Sequence, residues 1–267
     1  MACRVSTINN KLMYRPRIIP VLLLKNEGLI KTIQFGKERY IGDPINAVHV
    51  FNGLKADEIV LLDVEATNQN RPISMDLVRK IAEEANMPFS VGGGICTIEQ
   101  IAERVAAGSE KVILNTIAIN NKKFIQEAAL QFGSSTLVAC MDVKKNWLGK
   151  YQVCINRGRK SISGSIVEQA KQLEAAGIGE IIIQSVDRDG MMGGYDLELV
   201  KQISASVSIP ITALGGASGL PDMKNLLNEV SVNGLAAGSM FIYHGARNGI
   251  LVNYPEKDKM NAFFNSK

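Results

Sequence analysis

The chain has 267 residues, 46% of them hydrophobic, enough to bury roughly three-quarters of its surface without a disulfide or metal staple. Its 30 basic and 26 acidic residues leave a net charge of +4, which suits a phosphorylated small molecule, and no long basic run or RNA-binding aromatic motif points to nucleic acid. No segment approaches about 18 uninterrupted apolar residues and residues 1–13 lack a hydrophobic signal core, so a cytoplasmic protein without membrane insertion is expected.

Residues 1–16 read as a loose polar lead-in, and residues 17–267 as one continuous unit. The first strand, 17–24 (RIIPVLLL), is apolar after Arg17, as a strand covered on both faces is. Residues 29–42 form a long loop or irregular hairpin with Lys31, Lys37 and Arg39, either folded over an anionic ligand or simply a solvated charged face. Asp43 and Pro44 start a helix, Asp as cap and Pro in the first turn. A second strand covers 58–64 and a helix 75–85, before a third strand that stops at Gly92, Gly93 and Gly94. Thr97, with Gln100 three positions on, caps a helix ending near Gly108. The fourth strand, 111–115, delivers Asn115 and Thr116 to its C-terminal end. After a helix over 121–131, the fifth strand, 136–142, is an apolar run that Asp142 breaks. Residues 147–155 read as a two-stranded excursion, 165–176 as a helix and 180–185 as the sixth strand, whose exit carries Asp189 and Gly190. A helix over 196–206, a seventh strand 209–214 ending at Gly215 and Gly216, a helix over 221–229 and a strand 234–237 before Gly238 and Ser239 complete the pattern.

The third-strand segment MPFSVGGG returns as IPITALGG, with Pro88 and Pro210 separated by 122 positions. Glu58-Ile-Val-Leu-Leu and Glu180-Ile-Ile-Ile-Gln keep the same interval, so the chain reads as two similar halves. In each copy a Pro enters an apolar run and glycines end it, a form in which freed amides and the next helix N-terminus hold an anion such as phosphate.

Eight strands alternating with helices are best satisfied by an α/β fold closed as a (β/α)8 TIM barrel, with no sheet edge left open. The polar strand ends Asp63, Gly92, Gly93, Gly94, Asn115, Asp142, Asp189, Gly215 and Gly216 then converge on the catalytic face. Arg17, Glu58, Lys111 and Glu180 stand instead at strand beginnings, either as bottom-face salt bridges or as a charged ring around the barrel axis. Cys3, Cys96, Cys140 and Cys154 are scattered, without CxxC, beside only two His, so free thiols, no metal site and no cofactor are expected.

From about Arg17 to Tyr243 the chain resembles the cyclase subunit of imidazole glycerol phosphate synthase, through RIIP, Gly42-Asp43-Pro44, Asp57-Glu58-Ile-Val-Leu-Leu-Asp63, Val91-Gly92-Gly93-Gly94, Asp142-Val-Lys, Asp187-Arg188-Asp189-Gly190 and Ala236-Ala237-Gly238-Ser239. The resemblance implies a half-barrel duplication, a substrate with a phosphate at each end, and a HisH-like glutaminase partner docked on the N-terminal face. It also implies that ammonia from that partner crosses a gate, here Arg17, Glu58, Lys111 and Glu180, and travels inside the barrel. Gly93, Gly94, Asn115 and Thr116 match one phosphate site, and Gly190, Gly215, Gly216, Gly238 and Ser239 lie near the other. Lys31 matches the lysine of the active-site loop, and Asp142 one of two catalytic aspartates. The other aspartate is absent: Leu23 stands in its place. Gln184 replaces a small hydroxyl residue and Leu214 a serine.

Cyclisation needs acid and base groups on opposite sides of its substrate, and Leu23 cannot exchange protons. The retained gate and missing acid suggest a divergent subunit that passes ammonia onward, resembling the second-copy form of bacterial surface-polysaccharide gene sets, where a separate sugar amidotransferase is the consumer. The competing readings are a true cyclase of histidine biosynthesis, a related sugar-phosphate isomerase, and a non-catalytic scaffold that activates the glutaminase.

Overall fold

In the computed structural model, residues 15–245 and 247–265 are described; the lead-in expected over 1–16 falls outside them apart from Arg15 and Pro16. Eight strands, Arg17–Lys25, Ile59–Asp63, Phe89–Gly92, Lys111–Leu114, Leu137–Lys145, Glu180–Ser185, Ile211–Leu214 and Gly234–Ala237, each pair in parallel with the next. The eighth pairs with the first, Gly234 opposite Arg17, so the sheet closes into a (β/α)8 barrel as expected. Closure explains why the strands read as nearly unbroken apolar runs: one face looks into the barrel and the other is covered by helices.

Successive side chains of the first strand separate these layers. Ile18 and Leu22 join the large core between sheet and helices, while Ile19 and Val21 join a smaller core inside the barrel with Val60, Ile113, Val138, Cys140, Ile182 and Ala236. The helices begin where short polar side chains satisfy their first amides. Asp43 accepts from the amide of Asn46 with Pro44 in the first turn, and Thr97 and Gln100 form a reciprocal capping box.

The duplication reaches atomic detail. A Cβ on Gly93 would lie 2.5 Å from the Asp63 carbonyl oxygen, and one on Gly215 would lie 2.7 Å from that of Ser185. Asp63 and Ser185 are themselves 122 positions apart, so both halves use a glycine with positive φ, 121° and 102°, to bring the same neighbouring backbone close.

The structure adds to the sequence reading at three places. The fifth strand runs to Lys145, beyond Asp142, and itself pairs antiparallel with Tyr151–Ile155; Trp147 therefore sits in the connecting turn, whose amides at Leu148 and Lys150 donate to Asn146 Oδ1. Of the two forms expected over 29–42, the structure has the irregular hairpin, built of Gly28–Ile33 and Gly36–Gly42 with register shifts. A C-terminal helix, Lys257–Asn265, had no expectation attached to it; buried Met260 belongs to it, and Tyr254 just before it stacks on Phe241 at 5.6 Å and donates to the Ile18 carbonyl at 3.0 Å.

Candidate functional site

At the N-terminal end of the barrel, charged side chains from the first, fourth and sixth strands meet Glu58, which immediately precedes the second. Arg17 hydrogen-bonds Glu58 through one guanidinium nitrogen and Glu180 through the other at 2.6 Å. Lys111 Nζ lies 2.9 Å from Glu180 and 3.8 Å from Glu58, which closes the ring. Burial opposes charge at Arg17, but Glu180 and Glu58 more than offset it and hold its pKa above the ordinary value. Glu180, also buried, is held below the usual carboxylate range by Arg17 and Lys111 against the cost of burial. Ser90 donates to Glu58 at 3.1 Å and Thr212 to Glu180 at 2.5 Å. These hydroxyls are again 122 positions apart, as are the two glutamates they serve, so the repeat interval was the signal that could have found them. Gly234 is small for the same reason: a Cβ there would collide with Thr212 Oγ1.

At the opposite end lies a cavity of about 380 Å³. Its walls include Lys31, Asp63, Gly93, Gly94, Asn115, Thr116, Asp142, Asp189, Gly190, Gly215, Gly216, Gly238 and Ser239. Lys31 comes from the hairpin after the first strand; the others lie at or just beyond strand C-termini, because the parallel strands all run the same way through the barrel. Among the described residues, the amides of Gly94, Ile95, Gly216 and Ala217 have no acceptor, leaving each glycine turn able to bind an anion.

Asp142 is buried, and burial pushes its carboxyl up to about 7, against the thiol of Cys140 and the amide of Asn115. Cys140 Sγ lies 3.6 Å from Asp142 Oδ1. Lys31 donates to the Val21 carbonyl at 2.7 Å; burial brings its pKa down to about 8, with Asp189 acting in the other direction. Nearby Leu23, Leu62 and Leu214 make the wall aliphatic. Near neutral pH Asp142 is therefore able to give or take a proton, and Lys31 is an amine of reduced basicity in the same pocket.

Residues 17–247 match the family model described as histidine biosynthesis protein. The chain belongs to that family. It is similar to a protein of Leptospira borgpetersenii provisionally named imidazole glycerol phosphate synthase subunit HisF, at 45% identity over 94% of this chain and 100% of the relative. A Pseudomonas aeruginosa relative, provisionally named subunit hisF2 of the same synthase, is 40% identical over 93% and 99% of the two chains. The subunit HisF of Alkaliphilus metalliredigens is 38% identical over 87% and 92%. This chain is thus a divergent member of the HisF family.

Within this family member, the four charged residues singled out at strand starts come together, and all those assigned to substrate or phosphate line one cavity. Two of the latter have local work. Asp63 accepts from the amides of Glu65 and Ala66, each at 3.1 Å, and from Arg71 at 2.6 Å, so its carboxylate organises the loop after the second strand. Asp189 accepts from Thr32 at 2.6 Å and from the Phe35 amide at 3.2 Å, tying the hairpin to the sixth-strand exit; burial raises its pKa. Sequence reasoning missed Arg157, which lines the cavity and bonds Glu65, the Phe35 carbonyl and Glu38. Its partners lie on two distant loops, so no local spacing marks it. No group of three or more His, Cys, Asp or Glu suited to a metal occurs among the described residues, and no helix among them is long and apolar enough to cross a membrane.

Proposed function

We propose that the chain is a cyclase-like subunit of a glutamine amidotransferase complex that receives ammonia from a glutaminase on its N-terminal face. Ammonia passes the ring of Arg17, Glu58, Lys111 and Glu180, follows the aliphatic barrel interior and reaches the cavity around Asp142. The observation that carries this reading is the asymmetry between the two ends. The ring is complete, whereas Asp142 has only Leu23 where cyclase chemistry calls for a second carboxylate. A neutral molecule crosses an apolar interior far more readily than an ion, which suits ammonia. The glycine turns at Gly93 and Gly215 bind a phosphorylated ligand, and no cofactor takes part.

The final acceptor in this reading is a sugar handled by a separate amidotransferase; the hisF2 label of the Pseudomonas aeruginosa relative speaks only for a second copy of the subunit. The retained Asp142 and both glycine turns favour one competing reading, a working cyclase of histidine biosynthesis. The purified chain, together with its glutaminase, should be supplied with the ribulosyl aminoimidazole intermediate of that pathway. Turnover lower by about 10²- to 10⁴-fold than a cyclase with two carboxylates is expected; robust cyclisation overturns the proposal.

A further inference from the structure

Gln184 is only 4% exposed, and its Oε1 has no hydrogen-bond partner among the described residues. Buried amide oxygens are nearly always paired, because losing water without gaining a donor is unfavourable. The unpaired atom belongs to a residue of the cavity wall. Gln184 is in register with Asp142 on one side and Leu214 on the other, and neighbours in parallel register project to the same face. The Gln184 and Asp142 side chains therefore leave neighbouring strands at the same level and on the same face, both lining the pocket where the apolar barrel interior opens into it. Around them the side chains of Val21, Leu23, Leu62 and Leu214 offer neither donor nor acceptor, while the thiol of Cys140 and the amide of Asn115 flank Asp142 on its own side.

Two neighbouring acceptors in an aliphatic collar call for a small ligand with several N–H donors. We propose that Gln184 Oε1 and Asp142 form a docking point for ammonia at the upper end of the barrel interior. This rests on the reading of the chain as an ammonia-conducting subunit. One N–H donates to the carbonyl and another to the carboxyl, which leaves the nitrogen lone pair free to face the pocket. If the nitrogen arrives as ammonium, its extra proton passes to the Asp142 carboxylate, giving ammonia and a carboxylic acid. Gln184 is thus a positioning residue for the nucleophile, and it supplies no proton transfer in place of the carboxylate missing at Leu23.

The test uses the full chain without a glutaminase, labelled with 15N in Gln side chains and 13C in Asp carboxyls. Ammonium chloride is titrated against sodium chloride at matched ionic strength, and the Gln184 signal is assigned by its loss in Gln184→Leu. Saturable shifts of Gln184 and Asp142 with ammonium alone are expected, with the Asp142 response weakened at least about tenfold in Gln184→Leu. Gln184→Glu keeps an acceptor in place and should retain saturable binding, which guards against misreading a folding defect. Equal shifts with sodium, or an Asp142 response unchanged in Gln184→Leu, overturn the assignment. Conduction is read separately, from Lys111 variants with Gln184 intact, so failure of the docking point and failure of the channel are distinguishable.

Discussion

Lys111 Nζ stands 3.8 Å from Glu58 Oε2, the longest contact in a ring whose other links are direct hydrogen bonds. Turning Lys111 away costs one firm bond, to Glu180, whereas turning Arg17 away breaks two. Lys111 is therefore the side whose movement opens the ring at least cost.

Removing a glutamate from this ring has a different consequence from removing Lys111. Glu180 is shared by Arg17, Lys111 and Thr212, and its loss leaves two cations competing for Glu58. Breaking a buried pair from one side typically costs about 3–5 kcal/mol, so Glu180→Ala should lower unfolding stability in urea by about 3 kcal/mol. A loss below about 1 kcal/mol would mean that water screens the ring. In Lys111→Met the glutaminase should keep hydrolysing glutamine, while more of the ammonia escapes to solvent than in the native complex. A parallel fall of hydrolysis and delivery argues for signalling without conduction.

Asp142 makes stability depend on pH in a direction opposite to that of a salt-bridged carboxylate. Its folded pKa of about 7 lies above the ordinary 3.8, so the folded chain binds the proton more tightly. Stability from this group is greatest at low pH, falls as pH rises between about 4 and about 7, and is constant above. At about 1.4 kcal/mol per pKa unit the full penalty is at most about 4 kcal/mol. Asp142→Asn should therefore be more stable than the native chain at pH 8 and nearly equal to it at pH 4, read by urea midpoints. An equal gain at both pH values would show that the carboxylate is not desolvated.

Leu23 faces the cavity and pairs in register with Ile30 and Leu62. Leu23→Asp adds a carboxylate at the position where the cyclase family carries its other catalytic aspartate and should raise ammonium-dependent cyclisation by about 10²-fold or more, within the usual range for acid-base catalysis. No gain in steady-state rate, in a variant with an unchanged circular dichroism spectrum, would mean that the pocket differs from a cyclase by more than one acid.

Arg157 holds the hairpin of residues 28–42 against the second-strand loop by its bonds to Glu38, Phe35 and Glu65, with Lys25 bridging the same two glutamates. In Arg157→Ala, amide hydrogen exchange across 28–42 should accelerate by about tenfold and that of Glu180–Ser185 should not change. Uniform acceleration would instead signal global destabilisation.

The eight strands, their two-fold repetition and the candidate pocket residues were legible in the linear order because apolar runs, Pro and Gly at fixed intervals, and polar strand ends are local signals. The substitution Leu23 was equally plain. What required the tertiary structure was everything set by closure of the sheet. Only when Gly234 pairs with Arg17 do four charges spread over 164 positions of chain neutralise one another on an axis. Only then does Arg157 reach a hairpin more than a hundred positions away, and only then does Gln184, in register with Asp142, keep a buried Oε1 without a donor among the described residues. Spacing fixes which face of a strand a side chain occupies; which strands stand opposite one another is decided by how the whole barrel packs.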